Sequence, residues 1–328
     1  MNVRNLLLPL LFATVIFALP APAAWINGQS YVSLEHWADH NGFDSIRDGK
    51  VNTALFSKGA ARLGFEKNSC MASINGVNVL LSFPVALDKS GFLIAQLDLE
   101  KTVEPLVFPW LADDRKITTI VLDPGHGGKD PGNRYGWHSE KTYTLLLAKE
   151  LSRQLMTAGF KVILTRTKDE YVDLNDRPAL ANRVHADLFV SLHFNATESS
   201  RSTVSGPETY CITPVGASSS NAGGRGASYG KTAANSAETE SLLLAYEVQR
   251  ALVKNLDADD RGVRRARFAV LRGAKMPAIL VESGYMTHPV EGKKIFTAAY
   301  RKQIASALVK GILDYQRLTR PATTFRKK

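Results

Sequence analysis

The sequence predicts an α/β fold: a mostly parallel sheet with helices on both faces, preceded by a small strand-rich α+β domain. Three observations lead there. From Thr118 onward, short β-branched runs alternate with amphipathic segments of helical length, the pattern of parallel strands joined by crossover helices. Before that point, turn dipeptides (Asn27-Gly28, Asn41-Gly42, Asn75-Gly76, Ser90-Gly91) separate short apolar runs. In the second half, histidines and glutamates recur just after predicted strands, where open α/β sheets bind ligands. The chain has 328 residues, 45% hydrophobic and 22% charged, which is globular usage and excludes a largely disordered protein.

The N-terminus reads as a signal peptide over residues 1–23. Arg4 gives a positive start, Leu6 to Leu19 carries no charge, and Ala21-Pro22-Ala23 offers small residues for cleavage. The run is shorter than the roughly 20 apolar residues that span a bilayer. An exported protein is therefore expected, periplasmic or secreted, with no membrane span in the mature chain. The net charge of +10 suits an anionic cell envelope. Nucleic acid is not expected as a partner, because no binding motif accompanies the charge and export separates the two. Cys70 and Cys211 would have to bridge two domains to form a disulfide, and no Cys-x-x-Cys pair suggests a thiolate metal site or redox motif.

Residues 25–104 form the small domain, with strands expected near Val51–Phe56, Val77–Phe83 and Gly91–Leu97 and a short helix at Leu34–Ala38. A linker is expected at 105–116, where Pro105, Pro109 and a charge cluster interrupt the pattern. The α/β domain occupies 117–316. It opens with a buried strand at Thr118–Leu122, then a helix over Glu140–Met156 with Leu147, Leu151 and Leu155 on one face, closed by Gly159. Further strands are expected at Lys161–Thr165, Asp187–Leu192, Phe268–Leu271 and Ala278–Val281. Helices are expected at Asn175–His185, around Leu244–Leu252, and at Glu291–Tyr315. Residues 214–237 are small, polar and glycine-rich, a long mobile loop of the kind used as a lid or binding loop. Residues 317–328 read as a basic tail.

Four segments carry chemistry. Asp123-Pro124-Gly125-His126-Gly127-Gly128 follows the first strand, Ser139-Glu140 opens the next helix, His193-Phe194-Asn195 ends another strand, and Glu282-Ser283-Gly284 ends a late one. Two imidazoles and a carboxylate (His126, His193, Glu140) make a three-ligand zinc set with a position left for water. Glu282, separate from these, suits the carboxylate that moves a proton. Each residue also has a plainer reading. A lone histidine is more often a satisfied polar group, Glu140 could favour the helix dipole, and Glu282 could pair with Arg264, Arg265 or Arg267. The glycines could merely make a turn. Phosphate binding is disfavoured, since neither dinucleotide nor P-loop spacing is present. His138 is a substitute ligand candidate, His288 a cleft candidate and His185 a surface residue, while Asn195 and Arg166 are expected to organise loops.

"VLDPGHGGKDPG", the Glu140 helix, "DLFVSLHFNA", "DRGVRRARFAVLR" and "PAILVESGYMTHP" resemble, in order from about 118 to 316, the zinc-dependent N-acetylmuramoyl-L-alanine amidases. The resemblance implies zinc ligands at His126, Glu140 and His193, with Glu282 as acid/base. It implies peptidoglycan as substrate, cut between N-acetylmuramic acid and L-alanine, and an activator protein of unknown identity as a possible partner. Tyr285 stands where the family often has Phe, and the glycine- and serine-rich 214–237 segment argues against self-inhibition by a stable helix. The alternatives are a non-catalytic peptidoglycan-binding module and a zinc peptidase acting within the stem. Residues 25–104 resemble, through "INGQSYVSLEHWA" and "INGVNVLLSFP", the copper-amine-oxidase-like domain of other exported proteins, without copper ligands; targeting or support is the implied use.

Overall fold

The computed structural model describes residues 24–46, 52–109, 116–199, 201–220 and 230–319. The expected signal peptide, and the tail from residue 320, lie outside the described residues, as do 110–115 of the expected linker and 221–229 of the expected loop.

The strand-rich segment comprises β1 (Ala24–Ile26), β2 (Gln29–Ser33), β3 (Asp44–Ile46), β4 (Thr53–Lys58), β5 (Ala61–Glu66), β6 (Met71–Ile74), β7 (Val77–Leu80), β8 (Ala86–Asp88) and β9 (Gly91–Ala95). Helix α1 (Leu34–His40) starts at Ser33, whose hydroxyl accepts from the His36 amide as an N-cap should. A continuous helical stretch follows β9: α2 (Gln96–Asp98), a π-helical turn at Leu99–Val103, and α3 (Glu104–Val107). The start of the expected linker is therefore helical.

The second segment begins with β10 (Thr119–Pro124), the hairpin β11 (Arg134–Tyr135) and β12 (His138–Ser139), α4 (Glu140–Thr157) and β13 (Lys161–Leu164). It continues with α5 (Asp176–Arg183), β14 (Leu188–Asn195), β15 (Glu208–Cys211), a 3₁₀ turn at Ala233–Ala237 and α6 (Glu238–Leu256). β16 (Val263–Arg265), α7 (Ala269–Arg272), β17 (Ala278–Tyr285), α8 (Glu291–Ile295) and α9 (Ala298–Leu318) complete it.

Strands β13, β10, β14 and β17 lie side by side and parallel, as the β-branched runs predict. Their side chains alternate between two cores. Ile120 and Leu122, Leu188 and Val190, and Ile279 and Val281 face α4, α6 and α9. Val121, Phe189 and Leu280 face the other side, where Ala181 of α5 and Val270 and Leu271 of α7 cover them. A strand buried on both faces needs apolar residues at every position, which is why these segments read as unbroken runs.

The sheet does not stop at the α/β segment. β15 runs antiparallel to β17, β16 runs parallel to β15, and β16 pairs with β7 at Val263 and Val79. The antiparallel strands β7 to β3 then extend it to eleven strands in the order β13-β10-β14-β17-β15-β16-β7-β6-β5-β4-β3. The join is reinforced by polar contacts. The Asn78 amide donates to the Asp260 carboxylate at 2.7 Å, Tyr246 Oη donates to the Ile74 carbonyl at 2.9 Å, and Arg265 Nη2 donates to the Lys101 carbonyl at 2.6 Å.

Two expected elements differ. Phe268–Leu271, expected as a strand, forms the short helix α7, with the Leu271 and Arg272 amides bonded back to the Phe268 carbonyl. A four-residue apolar run carries no period, so it cannot distinguish a strand from one helical turn. The expected closing helix is two helices, because Thr297 caps a fresh start by accepting from the Tyr300 amide at 3.2 Å. Both cysteines are free thiols, Cys211 buried within β15 and Cys70 partly buried.

Candidate metal centre

The sheet carries β10, β14 and β17 to the same end, and the chain after β10 folds over that end. The Gly125 amide donates to the Leu192 carbonyl, after which His126 adopts φ +62°, a region that costs any residue with a Cβ. Two buried arginines hold this turn. Arg166 donates to the carbonyls of Pro124 (3.0 Å), Gly125 (2.9 Å) and Lys141 (2.8 Å). Arg177 donates to the carbonyls of Pro124 (3.1 Å), His126 (3.1 Å) and Val172 (3.0 Å) and pairs with buried Asp123 at 2.8 Å. The strain at His126 is thus over-determined by fixed donors on both sides of the turn.

His126 Nδ1 faces Asp130 Oδ2 at 2.8 Å, and its other nitrogen, Nε2, lies 3.1 Å from Glu140 Oε2. Glu140 is the first residue of α4 and only 1% exposed. Its Oε2 accepts from the Asn133 amide at 2.9 Å. Its Oε1 accepts from the Phe194 amide at 3.1 Å and faces His193 Nδ1 at 2.9 Å. One donor atom from each of His126, Glu140 and His193 lies within 4.8 Å of the others, the only such set of metal-ligating groups among the described residues. Glycine makes the room. A Cβ on Gly125 would stand 2.3 Å from His193 Cε1, and one on Gly132 would stand 2.6 Å from Glu140 Oε2. These glycines therefore do more than turn the chain.

Burial alone would raise the Glu140 pKa, but hydrogen bonds and charge from His126 and His193 hold it well below the carboxylate range. Burial likewise depresses the His126 pKa, and Glu140 and Asp130 outweigh it, leaving the imidazole above its ordinary value. An ionised carboxylate in so buried a place needs positive charge beside it. A bound dication would supply that charge. Two imidazoles and one carboxylate are the donor set of open zinc sites, so the residues fit that ion. Asp130 fits as the partner that fixes the His126 ring and leaves Nε2 free.

Glu282 sits on β17 in register with His193 on one side and Glu208 of β15 on the other. Its Oε2 is buried and has no hydrogen-bond partner. Burial, then the charges of Glu140 and Glu208, push its pKa well above the usual carboxylate range. The ion pair weighed for it does not form. Arg264 pairs with Glu208 at 2.9 Å, Arg265 donates to the Ile212 carbonyl, and Arg267 donates to the carbonyls of Pro214 and Ala217. His126, Glu140, His193 and Glu282 all open onto one cavity of about 360 Å³, walled by Leu174 and by Phe268 and Val270.

The remaining candidates separate cleanly. His138 stacks on Phe296 with ring centroids 3.6 Å apart and bonds to Tyr143 Oη, away from the cluster. His288 accepts from the Glu291 amide at 3.1 Å and lines a different, smaller cavity. His185 takes φ +51° just past α5. Asn195 donates to Glu208 Oε1 at 2.7 Å, organising the strand end as expected. Asp130, Asn133, Arg177 and Glu208 are residues the sequence reading missed. Only Asp130 carried a signal, lying one helical turn's spacing after His126 within a glycine-rich loop.

Comparison with known proteins covers the same stretch. The sequence profile described as N-acetylmuramoyl-L-alanine amidase matches residues 120–314. N-acetylmuramoyl-L-alanine amidase LytC of Bacillus subtilis (strain 168) is 35% identical over 199 residues, 61% of this chain and 36% of LytC. A sporulation-specific N-acetylmuramoyl-L-alanine amidase of the same organism is 33% identical over 199 residues, 60% of this chain and 67% of that protein. Among solved structures, N-acetylmuramoyl-L-alanine amidase AmiC2 of Nostoc punctiforme superposes with a TM-score of 0.52 at 34% identity, covering 62% of this chain and 98% of AmiC2. The chain thus spans only about a third of LytC's length, and the profile match leaves residues 25–104 outside it.

Proposed function

The chain belongs to the N-acetylmuramoyl-L-alanine amidase family, and from this premise we propose that it hydrolyses the amide between N-acetylmuramic acid and L-alanine in peptidoglycan. His126, Glu140 and His193 would hold a zinc ion, and Glu282 acts as general acid/base. The observation that carries the assignment is the unpartnered, buried Glu282 Oε2 opening onto the same cavity as the three-residue cluster. When bound, zinc polarises a carbonyl and lowers the pKa of water to about 7.

The protein's own groups do the rest. Glu282 takes the proton of the attacking water as the carbon–oxygen bond forms. It then delivers that proton to the alanine nitrogen as the carbon–nitrogen bond breaks, leaving a lactyl carboxylate and a free amine. Its raised pKa lets it hold the proton between the two steps. Phe268 and Val270 give the cavity an apolar wall alongside its polar residues. The basic sequence supports a setting in the envelope, exported to the periplasm or the wall. No helix of the described residues is long and apolar enough to cross a membrane. Residues 25–104 are proposed as a copper-amine-oxidase-like accessory segment used for targeting or support, and 117–316 as the catalytic one.

Digestion of purified peptidoglycan, with and without a zinc chelator, tests this by mass analysis. Intact stems with a free N-terminal L-alanine are expected, lost on chelation and restored by zinc. Fragments cut inside the stem would instead identify a zinc peptidase, and zinc binding without any release a wall-binding module.

A further inference from the structure

The hairpin between the two halves of the metal cluster carries a side chain that the fold does not use. Tyr135 and His138 are paired residues of β11 and β12, so Gly136 and Trp137 alone form the turn, with Gly136 at φ +58°. Trp137 is 100% exposed. Its indole makes no hydrogen bond or ring contact with any described residue. Such a large apolar ring at a hairpin tip contributes nothing to the core and is disfavoured in water.

The tip is nonetheless held firmly in place. At the base of the hairpin, the Asn133 amide donates to Glu140 Oε2 and the Glu140 amide donates to the Asn133 carbonyl, each at 2.9 Å. The second strand is pinned by His138 through its stack on Phe296 and its bond to Tyr143. Trp137 is three residues from Glu140, so its backbone lies within roughly 10 Å of the cluster at the strand rise of about 3.3 Å per residue. Other exposed apolar groups gather here too. Of the nine exposed large apolar side chains among the described residues, four (Tyr135, Trp137, Tyr171 and Leu174) lie on this hairpin and on the 169–174 loop. That loop also touches the metal-binding turn, where the Gly128 amide donates to Asp169 at 2.7 Å. Leu174 lines the cavity itself.

We propose that Trp137, backed by Tyr135, is a stacking site for sugar rings of the glycan strand, and that it seats the muramoyl end of the substrate beside the cluster. A pyranose ring with equatorial substituents presents an apolar C–H face that stacks on an indole, while its hydroxyl and amide edges stay in water. A peptide stem presents no comparable flat face. The assignment rests on the reading of peptidoglycan as substrate, and it names which part of that polymer the hairpin recognises.

The test is calorimetric titration of the full mature chain with stem-free glycan oligosaccharides of alternating N-acetylglucosamine and N-acetylmuramic acid. Wild type, Trp137→Ala, Trp137→Tyr and Trp25→Ala are compared. Trp25 is exposed on β1, outside the site, and serves as the control. Trp137→Ala is expected to bind about tenfold more weakly, Trp137→Tyr to retain most of the affinity, and Trp25→Ala to match wild type. On polymeric substrate the same loss should enter KM and not kcat. Equal binding by wild type and Trp137→Ala, or no glycan binding by wild type, overturns the proposal. The two readings fail separately. Trp137-dependent glycan binding without stem release would sink the amidase assignment alone, and stem release with Trp137-independent binding would sink the stacking site alone.

Discussion

Replacing Glu282 by Gln is expected to lower turnover on peptidoglycan by about 10²–10⁴-fold, the usual contribution of a positioned acid/base group. The substitution keeps the side-chain volume and removes only the group that can carry a proton. Metal content should stay at the wild-type level, because none of the three clustered residues proposed to hold the ion is altered. Thermal stability should hold or rise. Glu282 is flanked by Glu140 and Glu208 and has an oxygen with no partner, so its charge works against the fold. Lost activity with retained zinc and an undiminished melting temperature would mark a group kept for chemistry. Normal turnover in this variant would falsify the assignment.

The second large effect is on stability. Arg177→Ala is expected to destabilise the protein by about 3–5 kcal/mol, measured by chemical denaturation, since it leaves a buried charge without its partner. Asp123 and Arg177 are both almost wholly buried and 2.8 Å apart. Without the guanidinium, Asp123 keeps only hydroxyl donors, Thr165 Oγ1 at 2.6 Å and Ser191 Oγ at 2.7 Å. The Val172 and His126 carbonyls lose donors as well. Metal affinity should fall with stability, because the same guanidinium holds the turn that places His126. A variant that unfolded normally but bound metal at full strength would show that Arg166 alone suffices to hold that turn. Replacing Asp123 and Arg177 together, by Asn and Met, should cost less than Arg177→Ala alone, since no charge is then left stranded.

The four residues proposed for the reaction stood out in the sequence because each stands at a junction it marks. His126, His193 and Glu282 follow apolar, β-branched or aromatic runs read as strands, and Glu140 opens a helix with an apolar stripe. A polar residue at the end of a buried strand is conspicuous. Arg177 was not, because it lies inside an otherwise ordinary helix start, and its partner Asp123 is 54 residues away. Glu208 was hidden for a related reason. All four residues of β15 are buried, so its glutamate sits in a short polar-looking segment with no period to betray burial. The sheet's continuity was equally unreadable. The β7–β16 contact joins Val79 to Val263 at a single register, and no local pattern announces which strand edges meet.

That join gives the chain a mechanical character that a two-part sequence would not suggest. β16 would be an open edge if the first hundred residues were cut away, and an open edge invites pairing with other chains. The N-terminal strands therefore cover that edge, with Asp260, Tyr246 and Arg265 reaching across the seam. The two halves should melt together as one cooperative unit, so a calorimetric trace with two well-separated transitions would contradict this reading. Trimming the protein to residues 117–316 should yield a species prone to self-association, even though His126, Glu140, His193 and Glu282 all lie within that stretch.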